Sequence, residues 1–371
     1  TNTYTGPTVV DPGATLIAGV NSITGDIVNN GGFGFSQSTP GTFAHNMTGT
    51  GTMTIGGTGT ITLTGTNTQS GGTTLLSGAS ILIAAVDALS GNTINSQGGS
   101  LGIASGITLS SLIVTGTTVT LTTDIITTGA QSYNNIVLAP TSNNLTTLQT
   151  TNSNIRINGT LDATVAKIQS ILINAGTGEV TLGDSVGSIA RPNKLTVTGS
   201  RIFILADILT GDKQEYNGAT SIGDGTYIGK AFVKGFLFDS HYQYFEYAQN
   251  GQTSTIDYAN NDPRNVRTLV SKDPTVTFNG TVDDVSSFTH TLLVAAIAAN
   301  STSARASSTM PVINFNNSVS QTIPLYGLNA QTIALVNNTS TPDLSVYVGQ
   351  INVVDSVKTF SNQTFHSAAM T

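Results

Sequence analysis

Histidines and paired acids are the side chains that could do chemistry in this chain of 371 residues, and they are few. His45, His241, His290 and His366 are scattered, and none forms the His-Glu-x-x-His spacing that places two zinc ligands on one helical face. No nucleophile elbow, a Gly-x-Ser-x-Gly turn between strand and helix, is expected. Asp283-Asp284 is the one adjacent acidic pair weighed for hydrolysis. Neighbours on a strand point to opposite faces, which opposes joint catalysis, so solvation is the simplest expectation for both carboxylates. Gly223-Asp224-Gly225 and Asn260-Asn261-Asp262 could lend oxygens to Ca²⁺. Neither belongs to a repeated calcium-binding pattern, so both read as turns. Gly56-Gly57-Thr58-Gly59 has no P-loop lysine and no helix after it, and is a turn as well. The reading is of a chain with no catalytic residues and no required cofactor.

The densest cluster of recognition-type side chains is aromatic. Nine of the 23 aromatic residues fall between Tyr227 and Tyr258. The segment 201–273 carries 16 of the 33 charged side chains. Read structurally, 232–238 and 241–247 form a small hairpin with its own core. Read functionally, Phe232, Phe236, Phe238, Tyr242, Tyr244, Phe245 and Tyr247 are a candidate binding surface presented by a loop.

What must position such a surface follows from composition. Only 9% of residues are charged, against about 25% in average soluble chains. Hydrophobic residues make up 38% and the net charge is only −7, which opposes disorder. No Lys or Arg precedes Arg156 and the pI is about 4.8, so no nucleic-acid partner is expected. The longest apolar run, 292–299, is far short of the ~20 residues of a membrane helix, so no transmembrane segment is expected. The stretch 1–19 lacks a basic start and a long apolar core. The expectation is a mature chain or a piece of a longer one. There is no cysteine, so no disulfide or thiolate site can form, a composition compatible with export.

Runs such as Thr60-Ile61-Thr62-Leu63-Thr64 and Thr117-Thr118-Val119-Thr120-Leu121-Thr122 alternate hydroxyl and apolar side chains with period two. That is the pattern of half-buried strands, and Gly, Asn or Ser follows each run as a turn. The best helical spacing, over 162–171, is one helical turn or a corner between strands. Internal repetition carries more. Asp124-Ile125-Ile126-Thr127, followed by Gln131-Ser132-Tyr133-Asn134, recurs as Asp207-Ile208-Leu209-Thr210 and Gln214-Glu215-Tyr216-Asn217, at offset 83. Ile157-Asn158-Gly159-Thr160-Leu161-Asp162 recurs as Phe278-Asn279-Gly280-Thr281-Val282-Asp283, and Ile171-Leu172-Ile173 as Leu292-Leu293-Val294, both at offset 121. The offset thus grows by 38, which implies an insertion of that size between Asn217 and Phe278. A match of 180–186 to 313–319 at offset 133 implies about twelve more inserted residues near 300–308. Lys358-Thr359-Phe360-Ser361 reads as a worn third copy of the Gln-x-Tyr motif.

A repeat of the length of the first offset divides into about four coils of roughly 21 residues, near one turn of a parallel β-helix. Such coils bury their apolar face only by stacking. Inward positions take Ile, Val and Leu, and outward Thr and Asn rows can hydrogen-bond from coil to coil. Charges stacked in register every ~4.8 Å would repel, which accounts for their scarcity. The fold expected is all-β, a parallel β-helix (β-solenoid) with an aromatic-rich insertion. Tandem β-sandwich modules are the alternative. The division expected is 1–218 solenoid repeats, 219–275 aromatic and charged insertion, and 276–371 continuation of the repeats.

Gly65-Thr66-Asn67-Thr68-Gln69-Ser70-Gly71-Gly72-Thr73-Thr74-Leu75, then Leu82-Ile83 and Asp87-Ala88-Leu89-Ser90-Gly91, resembles the passenger-associated strand repeat of bacterial autotransporters. The segments 125–134, 157–162 and Asn174-Ala175-Gly176-Thr177-Gly178-Glu179-Val180 resemble repeats of filamentous-haemagglutinin-type surface adhesins. Together they cover about 51–218. The resemblance implies an exported, non-enzymatic protein of the bacterial cell surface, extracellular, acting in adhesion or aggregation. Its partners would be further copies of itself or a host or cell-surface ligand. The alternative is a self-polymerising subunit of a surface layer or extracellular filament, with an unpaired strand within 3–10 completing a neighbour's sheet. A carbohydrate-active β-helix enzyme is a third reading. Nothing after Ser301 resembles the membrane barrel of autotransporters, and no two-partner secretion domain is recognisable at the start.

Overall fold

The computed structural model describes residues 2–141, 143–223, 266–272, 275–284, 291–301, 312–319, 325, 327–338, 341–347, 350–354, 356–357, 363–366 and 369–370. Strand accounts for 54% of the chain and helix for 2%, and stacked parallel strands wind a β-solenoid of about 11 turns. The parallel ladders exclude the β-sandwich alternative, whose sheets are antiparallel. The chain divides into two compact units, one of residues 1–164 with 174–178, the other of 165–173 with 179–371.

In the first unit the coils contribute to three parallel ladders. One contains Thr8–Val10, Ile27–Asn29 and Met47–Thr48. The second runs through Thr15–Ala18, Gly32–Ser36, Thr52–Gly56, Thr73–Leu75 and Thr93–Ser96 into the first half of Leu112–Leu121. The third runs through Gly41–Phe43, Thr60–Leu63, Ser80–Ile83 and Ser100–Ile103 into its second half. In that third ladder Ile61, Ile81, Leu101 and Leu121 pair in succession. Asn46 N to Asp26 Oδ1, Thr66 N to Asn46 Oδ1 and Ile103 N to Thr123 Oγ1 span the same step, a separation of 20. The four ladder residues are all buried. Alternation explains this register. A one-residue slip would turn every inward Ile and Leu to solvent and every Thr inward, so period two locks each coil on the last. The coil repeat is therefore slightly shorter than the spacing expected from sequence. Some turns admit glycine alone. Gly57 has φ +79, and a Cβ there would lie 2.3 Å from the Gln37 carbonyl oxygen of the coil before.

The second unit has three ladders of its own. Leu195–Ile204 pairs with Gln214–Ile222 along both halves. From there one ladder continues through Thr275–Phe278, Val312–Phe315 and Gln350–Val353. A second takes Val282–Asp284. The third passes through Ile208–Thr210, Val266–Lys272, Thr291–Ser301 and Gly327–Asn338 to Gln363–His366. Gly327–Asn338 also pairs antiparallel with Thr341–Tyr347, a departure from the all-parallel expectation. Coil length is uneven here. Gln214 pairs with Val276, whereas its counterpart in the first unit, Gln131, pairs with Ile155. The first of these steps is longer than the second by the same amount as the jump in the repeat offset. Among the described residues, strand Gln214–Ile222 is followed by strand Val266–Lys272. Leu161–Ala163 and Ser170–Asn174 are strands, so the helical spacing over 162–171 is a corner.

The recurrence of the Gln-x-Tyr motif has a structural cause. Gln131 is buried with its Nε2 donating to Ile125 O at 3.1 Å and to Thr127 Oγ1 at 3.2 Å, while Tyr133 Oη donates to Gln131 Oε1 at 3.0 Å. Gln214 repeats the set with Ile208 O, Thr210 Oγ1 and Tyr216 Oη at 3.2, 3.2 and 3.0 Å. The threonine hydroxyls close the turn by donating to Gly129 O and Asp212 O. Each corner is thus a small interior network whose polar groups satisfy one another. The stretch 358–361, expected as a third copy, lies outside the described residues. Gln363 Nε2 donates to Val357 O at 3.2 Å, the same six-residue step, so the copy is Val357…Gln363…Phe365. Its tyrosine position is phenylalanine, which hides it from a search for Gln-x-Tyr.

Candidate functional site

The seven aromatic residues chosen from sequence, Phe232, Phe236, Phe238, Tyr242, Tyr244, Phe245 and Tyr247, lie outside the described residues, as do Asp224 and the 260–262 cluster. His241 and His290 do too. His45 is half-buried, with its ring 5.9 Å from that of the buried Phe43.

Asp283 and Asp284 depart from the expected solvation. They stand in strand Val282–Asp284 with relative exposures of 9% and 0%. They pair in register with Ser221 and Ile222 and engage neighbouring groups. Among the described residues no three His, Asp or Glu side chains are grouped as a metal would need. The Gly-x-Ser-x-Gly spacing does occur, against expectation, at Gly98-Gly99-Ser100-Leu101-Gly102, where Ser100 opens strand Ser100–Ile103, and at Gly183-Asp184-Ser185-Val186-Gly187. Ser185 is 4% exposed and its hydroxyl and amide both turn to Asp184 Oδ1, at 3.3 and 2.7 Å. Val186 then bridges to Ile208, so the spacing makes a coil corner with no helix behind it.

What the solenoid offers outward is rows of short polar side chains. In the first unit Thr54, Thr74, Asn95 and Thr115 follow one another in register. Thr60, Ser80, Ser100 and Thr120 do the same on the next ladder. Strand spacing sets such rows about 4.8 Å apart. Many hydroxyls bond back to the coil before them, as Thr122 Oγ1 does to Leu101 O at 3.2 Å and Thr164 Oγ1 to Leu138 O at 3.0 Å. The second unit carries an asparagine row in which Asn316 Nδ2 donates to Asn279 Oδ1 and Asn279 Nδ2 to Asn217 Oδ1, both at 2.6 Å. One residue before each Asn, on the inner side, the rings of Tyr216, Phe278 and Phe315 stack at 5.2 and 5.3 Å. Asn217 lies within strand Gln214–Ile222, and Asn279 and Asn316 directly follow strands Thr275–Phe278 and Val312–Phe315, so the comb outside and the ring stack inside share one register.

Charged groups gather where that row begins. Lys194 Nζ lies 3.2 Å from Asp212 Oδ2, Lys213 pairs with Glu215, and the Arg201 guanidinium sits 4.8 Å from the centre of the Phe203 ring. The hydrogen bond from Lys213 holds the Glu215 carboxyl below its ordinary pKa. Burial pushes the Tyr133 and Tyr216 phenols well above theirs. None of these shifts creates an acid or base poised near neutrality. No helix among the described residues is long and apolar enough to cross a membrane. The chain matches no protein family, no curated protein and no solved structure.

Proposed function

We propose that this chain is the surface-presenting solenoid of an exported bacterial cell-surface protein, non-enzymatic and acting in adhesion or aggregation. The observation that carries this reading is the exterior of the coils. Among the described residues it presents uncharged Thr, Ser and Asn rows held in register along the ladders, rather than convergent titratable groups. Such a surface meets its partner by area and shape, as interaction surfaces do, and needs no reaction centre. The protein would be extracellular, and its partners further copies of itself or a ligand on another cell.

Protease treatment of intact producing cells, with an antibody to the segment 1–164 as reporter, tests the location. The antigen should vanish without lysis, and an antigen protected until lysis would overturn the reading. Coating inert beads with the purified chain tests the action. Beads that neither clump nor gain attachment to cells over albumin-coated beads would remove adhesion and aggregation together.

A further inference from the structure

In the first unit three successive links between ladders lie side by side on consecutive coils. The link over 104–107 closes as a turn, with Ile107 N donating to Ala104 O at 3.1 Å and Gly106 at φ +82. The link 122–124 joins Leu112–Leu121 to Ile125–Thr127. The link 139–144 joins Gln131–Leu138 to Leu145–Thr150 and turns through Asn143 and Asn144 at φ +57 and +51. Residues of all three links line an open cavity of about 300 Å³.

Thr122, Thr123 and Asp124 line it, together with the apolar Ile107, Pro140 and Leu145. The two threonine hydroxyls are committed. Thr122 Oγ1 donates to Leu101 O, and Thr123 Oγ1 accepts from Ile103 N at 2.6 Å and donates to Asp124 O at 3.3 Å. Asp124 Oδ1 accepts from Thr147 N at 2.7 Å, which fixes the carboxylate while the residue stays exposed. Asp124 is the one charged residue lining the cavity. The stretch 1–155 contains no Lys or Arg, and its only charged side chains are Asp11, Asp26, Asp87 and Asp124. A fixed carboxylate in an all-acidic stretch, sharing its cavity with apolar side chains, selects a cation on an apolar stem. Thr147 N takes one of the acceptor positions on Oδ1, so a two-pronged guanidinium would have to share that oxygen, whereas a compact ammonium needs only the other.

We propose that this notch binds a lysine side chain of a partner polypeptide, its ammonium at Asp124 and its methylenes against Ile107 and Leu145. The inference does not depend on where the protein resides or on its adhesive role. It is tested by following the Asp124 and Thr147 amide resonances while titrating the full chain with Nα-acetyl-lysine amide. The norleucine and arginine analogues serve as uncharged and guanidinium controls. Saturable shifts with the lysine probe are expected at millimolar concentration. Asp124→Asn keeps an acceptor for Thr147 N and so the fold, and should weaken the lysine probe at least fivefold. Leu145→Ser should weaken it severalfold with the charge intact. The proposal is overturned if the lysine probe gives no saturable shift, if norleucine or arginine binds equally well, or if Asp124→Asn binds undiminished while melting at the wild-type temperature.

Discussion

The corner network makes two residues answerable for more stability than their surface would suggest. Tyr133→Phe keeps the ring and removes the one donor to Gln131 Oε1, leaving that oxygen buried. A loss of about 1–3 kcal/mol is expected in urea unfolding, the cost of an unsatisfied interior acceptor. The phenols also set an alkaline limit. Because burial raises the pKa of Tyr133 and Tyr216 in the folded state, their protonated form is worth most below the ordinary phenol value of about 10. That contribution is lost as pH rises from there through the folded-state values. The urea midpoint should fall as pH rises past about 10, and fall less in a Tyr133→Phe/Tyr216→Phe variant. An equal fall in both chains would count against the tyrosines. The first two copies of this network were visible in sequence because every polar partner is kept. The step from Val357 to Gln363 was not visible, because there the ring survives without its hydroxyl, so the six-residue glutamine step, and not the tyrosine, is the signature.

At the scale of the strand, stacking converts one side chain into a term of its neighbours. Asn279 both donates to Asn217 and accepts from Asn316, so Asn279→Val breaks two bonds in a row whose ends remain. About 1–2 kcal/mol should be lost, and less than twice that when Asn316→Val is added, because the two variants share a bond. The long step from Gln214 to Val276 makes a second claim. Deleting 225–262 restores the shorter step seen from Gln131 to Ile155, and the ladder should reform with its far-ultraviolet dichroism unchanged. Closure entropy grows only slowly with the length of a connection, so the deletion should shift the melting temperature by only a few degrees. Loss of the strand spectrum would show that those residues belong to the core. Strand positions were legible because Thr–Ile alternation has one period and one consequence. The antiparallel pairing of Gly327–Asn338 with Thr341–Tyr347 was not, since hairpin and coil strands share the same composition. Nor was the burial of Asp284, which depends on the partner strand and not on its own neighbours.

For the molecule as a whole, sequence disclosed the architecture better than the place of action. Periodicity and recurrence announce a solenoid. The notch at Asp124 is lined by three links that lie apart in sequence, which no local pattern records. The short, even step between coils of the first unit has a mechanical meaning. Pairing reaches only one coil away, so a chain pulled from its N-terminus has no long-range contact to break all at once. Held in an optical trap, it should lengthen in a staircase, each released coil adding about 7 nm at ~3.4 Å per residue. A single rupture of the whole unit would show that the coils fail together. A staircase would mean that a torn coil leaves the remainder wound, able to take back its lost neighbour when the load is released.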